Sequence, residues 1–380
     1  MPLRWRPVMT GGFGNPNNKN IRALVEFNGY LYAITSNGRD GGEVHRSPTG
    51  ESNSWEKVVD QSFRAFGNRR RRPLRSLHVF NGSLFVGTGM GAQIWRSEDG
   101  VRWRCVVEDG FGQGLRNFSV RALEVFNGHL FAGTGAEFFG SAGVYSSAEG
   151  DIWQRVACDG FRSPPGNNIV YALGRFDNHL YAGTFNVLTG AAAYRTRDGR
   201  SWQLVAARGL GHRGNLYIYQ FCAYQPSPAV PARLVVTTGG NPRGGEAWAF
   251  DGQRWSMFAP KGFGKWRNSD LWAAGQFGDD FYIGTWKYPI KRAHDNGAEL
   301  WRLDGATGQW HPETTDGMGN PDNDGIRLLV SWRGALYASL HNRRTGAELW
   351  RGEPEPVDSA KQNQAGAESL TASVNRPNAP

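Results

Sequence analysis

The sequence predicts an all-β fold: a seven-bladed β-propeller of four-stranded blades, its ring closed by an N-terminal strand that completes the last blade. Three observations carry this. One segment recurs seven times at spacings of 46 to 55 residues, the range of a four-stranded blade. Among 380 residues there are 52 Gly, 15 Trp and 21 Phe, a composition that suits short strands joined by tight turns. A Trp that opens the fourth strand of each repeat occurs six times within the chain and once more at Trp5.

Each repeat reads as four strands. The first is an apolar run: I-R-A-L-V-E-F-N-G from Ile21, L-R-S-L-H-V-F-N-G from Leu74, V-R-A-L-E-V-F-N-G from Val120 and V-Y-A-L-G-R-F-D-N from Val170, with weaker copies from Ile218, Leu271 and Ile326. Asn28-Gly29, Asn81-Gly82 and Asn127-Gly128 are the residues of a primed hairpin turn, whose two central positions take positive φ. Strand two ends at Thr35, Thr88, Thr134 and Thr184. Strand three carries His45, Trp95, Tyr145, Tyr194, Trp248, Trp301 or Trp350, and a D-G turn follows at Asp99, Asp198 and Asp251. Strand four opens on Trp55, Trp103, Trp153, Trp202, Trp255 or Trp310. The repeat ending at Trp350 lacks a fourth strand, and residues 3–9 around Trp5 are expected to supply it. Pairing the two chain ends removes an open sheet edge. The propeller is thus expected over residues 1–352. Residues 353–380, with Pro354, Pro356, Pro377 and Pro380 and no apolar period, read as a disordered tail.

S-E-D-G-V-R-W from Ser97 to Trp103, T-R-D-G-R-S-W from Thr196 and the looser S-A-E-G-D-I-W from Ser147 resemble the Asp-box turn of sialidase-type propellers, one residue shorter. The repeat as a whole is similar to those and to kelch-type propellers. The resemblance covers about residues 1–352 and implies a structural role for these turns, on the face away from an active site.

Strand direction puts the short N-G and D-G turns on one face. The long, varied loops between strands two and three, and between blades, fall on the other, where function gathers on such scaffolds. Seven equivalent positions at the entry of strand one hold Arg22, Arg75, Arg121, Tyr171, Tyr219, Trp272 and Arg327. Guanidinium forks suit carboxylate, sulfate or phosphate, and aromatic faces suit stacking. The alternative is that these arginines lie between blades, paired with Glu43, Glu246, Glu299 or Glu348 of strand three. The loops add Lys287, Tyr288, His294, His341 and Arg343 as candidates, with His294 or His341 beside a tyrosine as a possible acid–base pair. Six Asn recur four residues before the ring position, at 18, 117, 167, 215, 268 and 323. Their repetition favours a structural turn over a single active site.

The formal charge of +9 favours an acidic partner. The preferred expectation is binding of an anionic ligand, either an acidic glycan or a phosphorylated or carboxylated small molecule, at the loop-rich mouth. The alternatives are an enzyme on an acidic substrate (a lyase, hydrolase or cyclase) and a protein-interaction scaffold. Some propellers that resemble this architecture cleave acidic polysaccharides by β-elimination, using Arg against the uronate and His or Tyr for the proton transfer. Nucleic acid is the weaker partner, since no recognised module is present. No Cys/His spacing forms a metal site and no Gly-rich loop cradles a cofactor phosphate. No apolar run reaches the length of a membrane span. Three cysteines, Cys105, Cys158 and Cys222, with no apolar leader after Met1, point to free buried thiols in the cytoplasm.

Overall fold

In the computed structural model, the apolar runs and their turns form antiparallel strands, as the repeat predicts. The structure describes residues 2–58, 72–135, 142–162, 165–288 and 297–355, except for the Leu115 side chain. Residues 356–380, most of the expected tail, lie outside it. Glu353 and Pro354 belong to a strand and not to the tail, because they pair with Arg4 and Leu3. The described residues form 28 strands, in an eight-stranded, a twelve-stranded and two four-stranded sheets. The larger sheets divide into four-strand units joined by single pairings such as Gly135 with Ile169, Phe185 with Tyr217 and Trp286 with Gly325.

The first strands of successive units are β2 (Asn20–Phe27), β6 (Leu74–Phe80), β10 (Ser119–Phe126), β14 (Ile169–Phe176), β18 (Tyr217–Tyr224), β22 (Asp270–Phe277) and β26 (Asn323–Trp332). Each packs against the next, and β26 packs back against β2. The N-terminal strand β1 (Leu3–Met9) pairs antiparallel with β28 (Glu348–Pro354), setting Trp5 opposite Gly352. Hairpin chemistry drives the local folding. Asn28 and Gly29 have φ of 48° and 79°, Asn127 and Gly128 47° and 71°, the positive values that match strand twist. In the fifth unit Pro226, Pro228 and Pro231 replace that turn with a longer loop between Tyr224 and Arg233.

The core lies between units. Strands such as Ser83–Thr88 and His179–Phe185 are buried at every residue, so they read as continuous apolar runs rather than alternating ones. One hydrophobic cluster joins β1 and the first unit to the last, through Val8, Ile21, Leu24, Leu328, Trp332 and Tyr337. Others join each unit to its successor, for example Leu84, Val86 and Trp95 packed with Phe27, Tyr32 and Ile34. Glycine in the repeated G-T of strand two allows this approach. A Cβ on Gly183 would lie 2.4 Å from Ile218 Cγ2 of the next unit, and one on Gly133 2.7 Å from Val170 Cγ1.

The repeated Asn forms a bracket between units. Asn18, Asn117, Asn167, Asn215, Asn268 and Asn323 are buried. Each Nδ2 donates to a glycine carbonyl of the preceding loop at 2.9–3.0 Å. The same amide donates to a residue at or just before the start of strand three, Glu43, Tyr145, Tyr194, Glu246, Glu299 or Glu348, at 2.6–3.0 Å. The Phe after that glycine stacks on the strand-three ring, as Phe111 does on Tyr145 at 4.0 Å and Phe263 on Trp301 at 4.5 Å. The D-G turns are likewise structural: Asp99 Oδ1 accepts from the backbone of Val101 and Arg102, and Asp198 from Arg200 and Ser201.

Candidate functional site

All seven ring positions share a backbone feature. In every unit the register between strands one and two shifts at the ring residue, between Ile21 and Ala23, Leu74 and Ser76, Val120 and Ala122, Val170 and Ala172, Ile218 and Gln220, Leu271 and Ala273, and Ile326 and Leu328. A bulge leaves one residue out of the ladder and re-aims its side chain. Here it aims Arg22, Arg75, Arg121, Tyr171, Tyr219, Trp272 and Arg327, all of them half-buried.

These side chains meet across the ring. Arg22, on the first unit, lies close enough to Tyr171, on the fourth, for each to shift the other's pKa, and it feels the charges of Arg327 and Arg121 as well. A contact between strands three units apart requires both side chains to point inward. The acids of strand three are committed elsewhere. Glu43, Glu246, Glu299 and Glu348 hold the Asn brackets, and Glu43, Glu246 and Glu299 also pair with Lys57, Lys261 and Lys265. The inter-blade pairing open in the sequence is therefore not what these glutamates do.

The electrostatics follow from four basic residues around few acids. Burial, together with repulsion from Arg327 and Arg121, lowers the pKa of Arg22 to about 10. Burial pushes the Tyr171 phenol up, but Arg327, Arg22 and Arg121 outweigh it and bring the group down to about 7. Arg22 Nε, Arg327 Nε, Trp272 Nε1 and Trp286 Nε1 are buried donors with no acceptor among the described residues. Buried donors are nearly always paired in native proteins, so four at one place ask for an acceptor-rich partner. Arg121 Nε donates to Ser119 Oγ at 3.2 Å, and Arg75 Nη1 to Ser36 Oγ at 3.2 Å.

Two carboxylates that the sequence did not single out complete the site. Tyr219 donates to Asp270 Oδ1 at 2.6 Å, with Ser269 on Oδ2; burial raises the Asp270 pKa above its ordinary value. Asp324 bonds His341 Nδ1 and lies 3.4 Å from Arg343 Nε. His341 is thus coupled to Asp324, with its ring edge-on to Trp272 at 5.9 Å, and not to Tyr171 or Tyr219. Arg343 stands over Trp286 at 5.8 Å, and the exposed Tyr288 lies beside the same indole at 6.3 Å. Lys287 corrects the expectation of a ligand-facing cation: its side chain is 1% exposed, with Nζ 3.0 Å from the buried Glu299. His294 falls outside the described residues. Among the described residues no group of three metal-ligating side chains occurs, and no helix is long and apolar enough to cross a membrane.

A cleft of about 670 Å³ lies elsewhere, between the third and fourth units on the short-turn face, lined by Phe126, Asn127, His129, Glu149, Ile152 and Asp198 among others. It is made from the turns of the repeat itself. The seven bulge positions, in contrast, hold four Arg, two Tyr and one Trp.

No family model matches the sequence, and no curated protein matches it. Among solved structures the chain is similar to the extracellular domain of a hybrid two-component system from B. thetaiotaomicron, with a TM-score of 0.59 at 13% identity over 91% of this chain and 39% of that one. It is also similar to an ancestral GH74 enzyme, itself a propeller, with a TM-score of 0.58 at 12% identity over 89% of this chain and 48% of that one. The chain spans less than half the length of either. At these identities the likeness concerns the fold alone: all-β, antiparallel and propeller-like.

Proposed function

We propose that the seven units close into a seven-bladed propeller whose axial ring binds an anionic ligand, an acidic glycan or a phosphorylated or carboxylated small molecule. The pairing of β1 with β28 and the packing of β26 on β2 support closure. The observation that carries the function is the convergence of Arg22, Arg121 and Arg327 on Tyr171, where burial and, after it, repulsion from Arg327 and Arg121 depress Arg22. A ligand anion would relieve that repulsion and accept from the Arg22 and Arg327 guanidiniums. A thermal-shift comparison of acidic sugars, organophosphates and neutral sugars tests this. A ligand at about 100 times its Kd stabilises the native chain by ~2.7 kcal/mol. The expected result is stabilisation by acidic compounds only, lost in Arg121→Ala. Equal stabilisation by neutral sugars, or no loss in the variant, would overturn it.

A second reading, an enzyme that moves a proton on an acidic substrate, is favoured by one observation. Tyr171 is held near neutral pKa beside the arginines, the condition of an efficient general base. In that case Tyr171→Phe keeps ligand affinity and abolishes turnover. Binding of the acidic compound by the unmutated chain without turnover is evidence for binding alone.

A further inference from the structure

The ring is divided into two halves of different chemistry. Arg327, Arg22, Arg75 and Arg121 occupy four consecutive units around the axis; Tyr171, Tyr219 and Trp272 occupy the other three. At the residue after the end of strand two, Ser36, Gly89 and Gly135 stand in the first three units and Gly239 in the fifth, while Phe185, Trp286 and His341 stand in the fourth, sixth and seventh. The second half is a continuous aromatic wall. Phe185 stacks on Tyr217 at 4.3 Å, Tyr217 on Tyr219 at 5.1 Å, and Trp272 on Trp286 at 5.6 Å, with Tyr219 edge-on to Trp272 at 6.1 Å.

The two halves touch. Arg327 Cζ lies 5.2 Å from the Trp272 ring centre and 5.7 Å from that of Tyr219, and Arg121 Cζ 5.2 Å from that of Tyr171. Charge and ring face are therefore adjacent. Two glycines hold the wall in place: a Cβ on Gly325 would lie 2.5 Å from Trp286 Cδ1 and 2.8 Å from Trp272 Cζ3, and one on Gly239 2.3 Å from Tyr219 Cε2. A small inorganic anion would use the arginines and leave the wall without a role. A neutral sugar would use the wall and leave the guanidiniums repelling one another.

We infer that the ligand carries both an anionic group and a ring with a stackable face, the anion on Arg22, Arg121 and Arg327 and the ring face against Trp272 and Trp286. This rests on the anion-site reading above and narrows it to a class. The ring could be a pyranose, as in a sugar acid, or a purine, as in a nucleotide; both present a stackable face within reach of the charge.

The test is calorimetric titration of the full chain with glucuronate, AMP, inorganic phosphate, acetate and glucose. It is repeated in Trp286→Ala and Arg121→Ala, with circular dichroism confirming that each variant folds. A ring-bearing anion is expected to bind about tenfold or more tighter than phosphate and acetate. Trp286→Ala should erase that advantage while leaving the phosphate affinity in place, and Arg121→Ala should weaken every anion. Preference for glucuronate assigns a pyranose, preference for AMP a purine. A quench of indole emission by the ring-bearing anion but not by phosphate, read in the unmutated chain, reports the same contact without a variant. Phosphate or acetate binding as tightly as both ring-bearing anions overturns the inference alone. Absence of binding by every anion overturns the anion-site reading and the inference with it.

Discussion

Tyr171 is the residue on which the electrostatics of the site can be measured. An ordinary phenol titrates at 10.0, and in the fold this one titrates at about 7. Between those values the folded chain carries fewer protons than the unfolded one, so stability contributed by Tyr171 grows as pH rises from 7 to 10 and is lost as pH falls through 7. The expected outcome is a near-ultraviolet phenolate transition close to neutrality that disappears in Tyr171→Phe. The stability difference between the two proteins should widen toward alkaline pH. A ligand anion competes with the phenolate for the same guanidiniums. Anion affinity should therefore decline as pH rises through about 7, and binding should take up protons, measurable in buffers of different ionisation enthalpy. Gly325→Ala tests the wall at the same scale. The added methyl must displace Trp286 or Trp272, and the expected result is weaker binding of ring-bearing anions with the phosphate affinity retained.

At the scale of the element, the Asn bracket and the bulge do different work. Asn167 donates to Gly160 and Tyr194 and accepts from Thr184 and Asn186, all in a buried setting. Asn167→Ala strands those partners, and a loss of about 1–3 kcal/mol is expected in denaturant unfolding, with ligand affinity unchanged. A result near zero would show that water replaces the amide. The bracket was legible in the sequence because six of seven repeats use the same residue. The ring was legible for the same reason: Arg22, Arg75, Arg121 and their equivalents stand at one register. The bulges left no mark, since a run such as I-R-A-L-V-E-F reads as uninterrupted pairing. Asp270 and Asp324 were hidden because Asn20, Ser119, Ile169 and Tyr217 occupy the register of Asp270 in other units, so no period announces an acid there. Lys287 misled because its loop is basic, while the charge that decides its direction, Glu299, stands twelve residues on, just before the next strand.

For the whole molecule, the join between the chain ends governs stability. The all-β architecture and the placement of β1 could be read from Trp spacing. What could not be read was how β1 is held: Arg6 and Arg351 both bond Glu51 of the first unit, so one carboxylate ties the closing strand, its partner and the neighbouring unit. These charges are partly exposed and contribute little alone; the apolar contacts of Val8 and Met9 with Leu24 and Leu349 do most of the holding. Removal of residues 2–9 should leave β28 as an open edge. Light scattering is expected to report self-association of that shortened chain, reversed by adding the missing segment as a peptide. A monomeric shortened chain of unchanged stability would refute this.

The pairing of Leu3 with Pro354 also sets an order on the ribosome. Strand β1 is synthesised before every other strand of this fold and docks last, because its partner emerges about 350 residues later, roughly 18–70 s at 5–20 residues per second. Throughout that interval β1, with Val8 and Met9 destined for burial, must stay uncommitted while six units assemble behind it. The nascent fold thus leaves the apolar residues of β1 uncovered until β28 emerges, the kind of segment a ribosome-associated chaperone would shield.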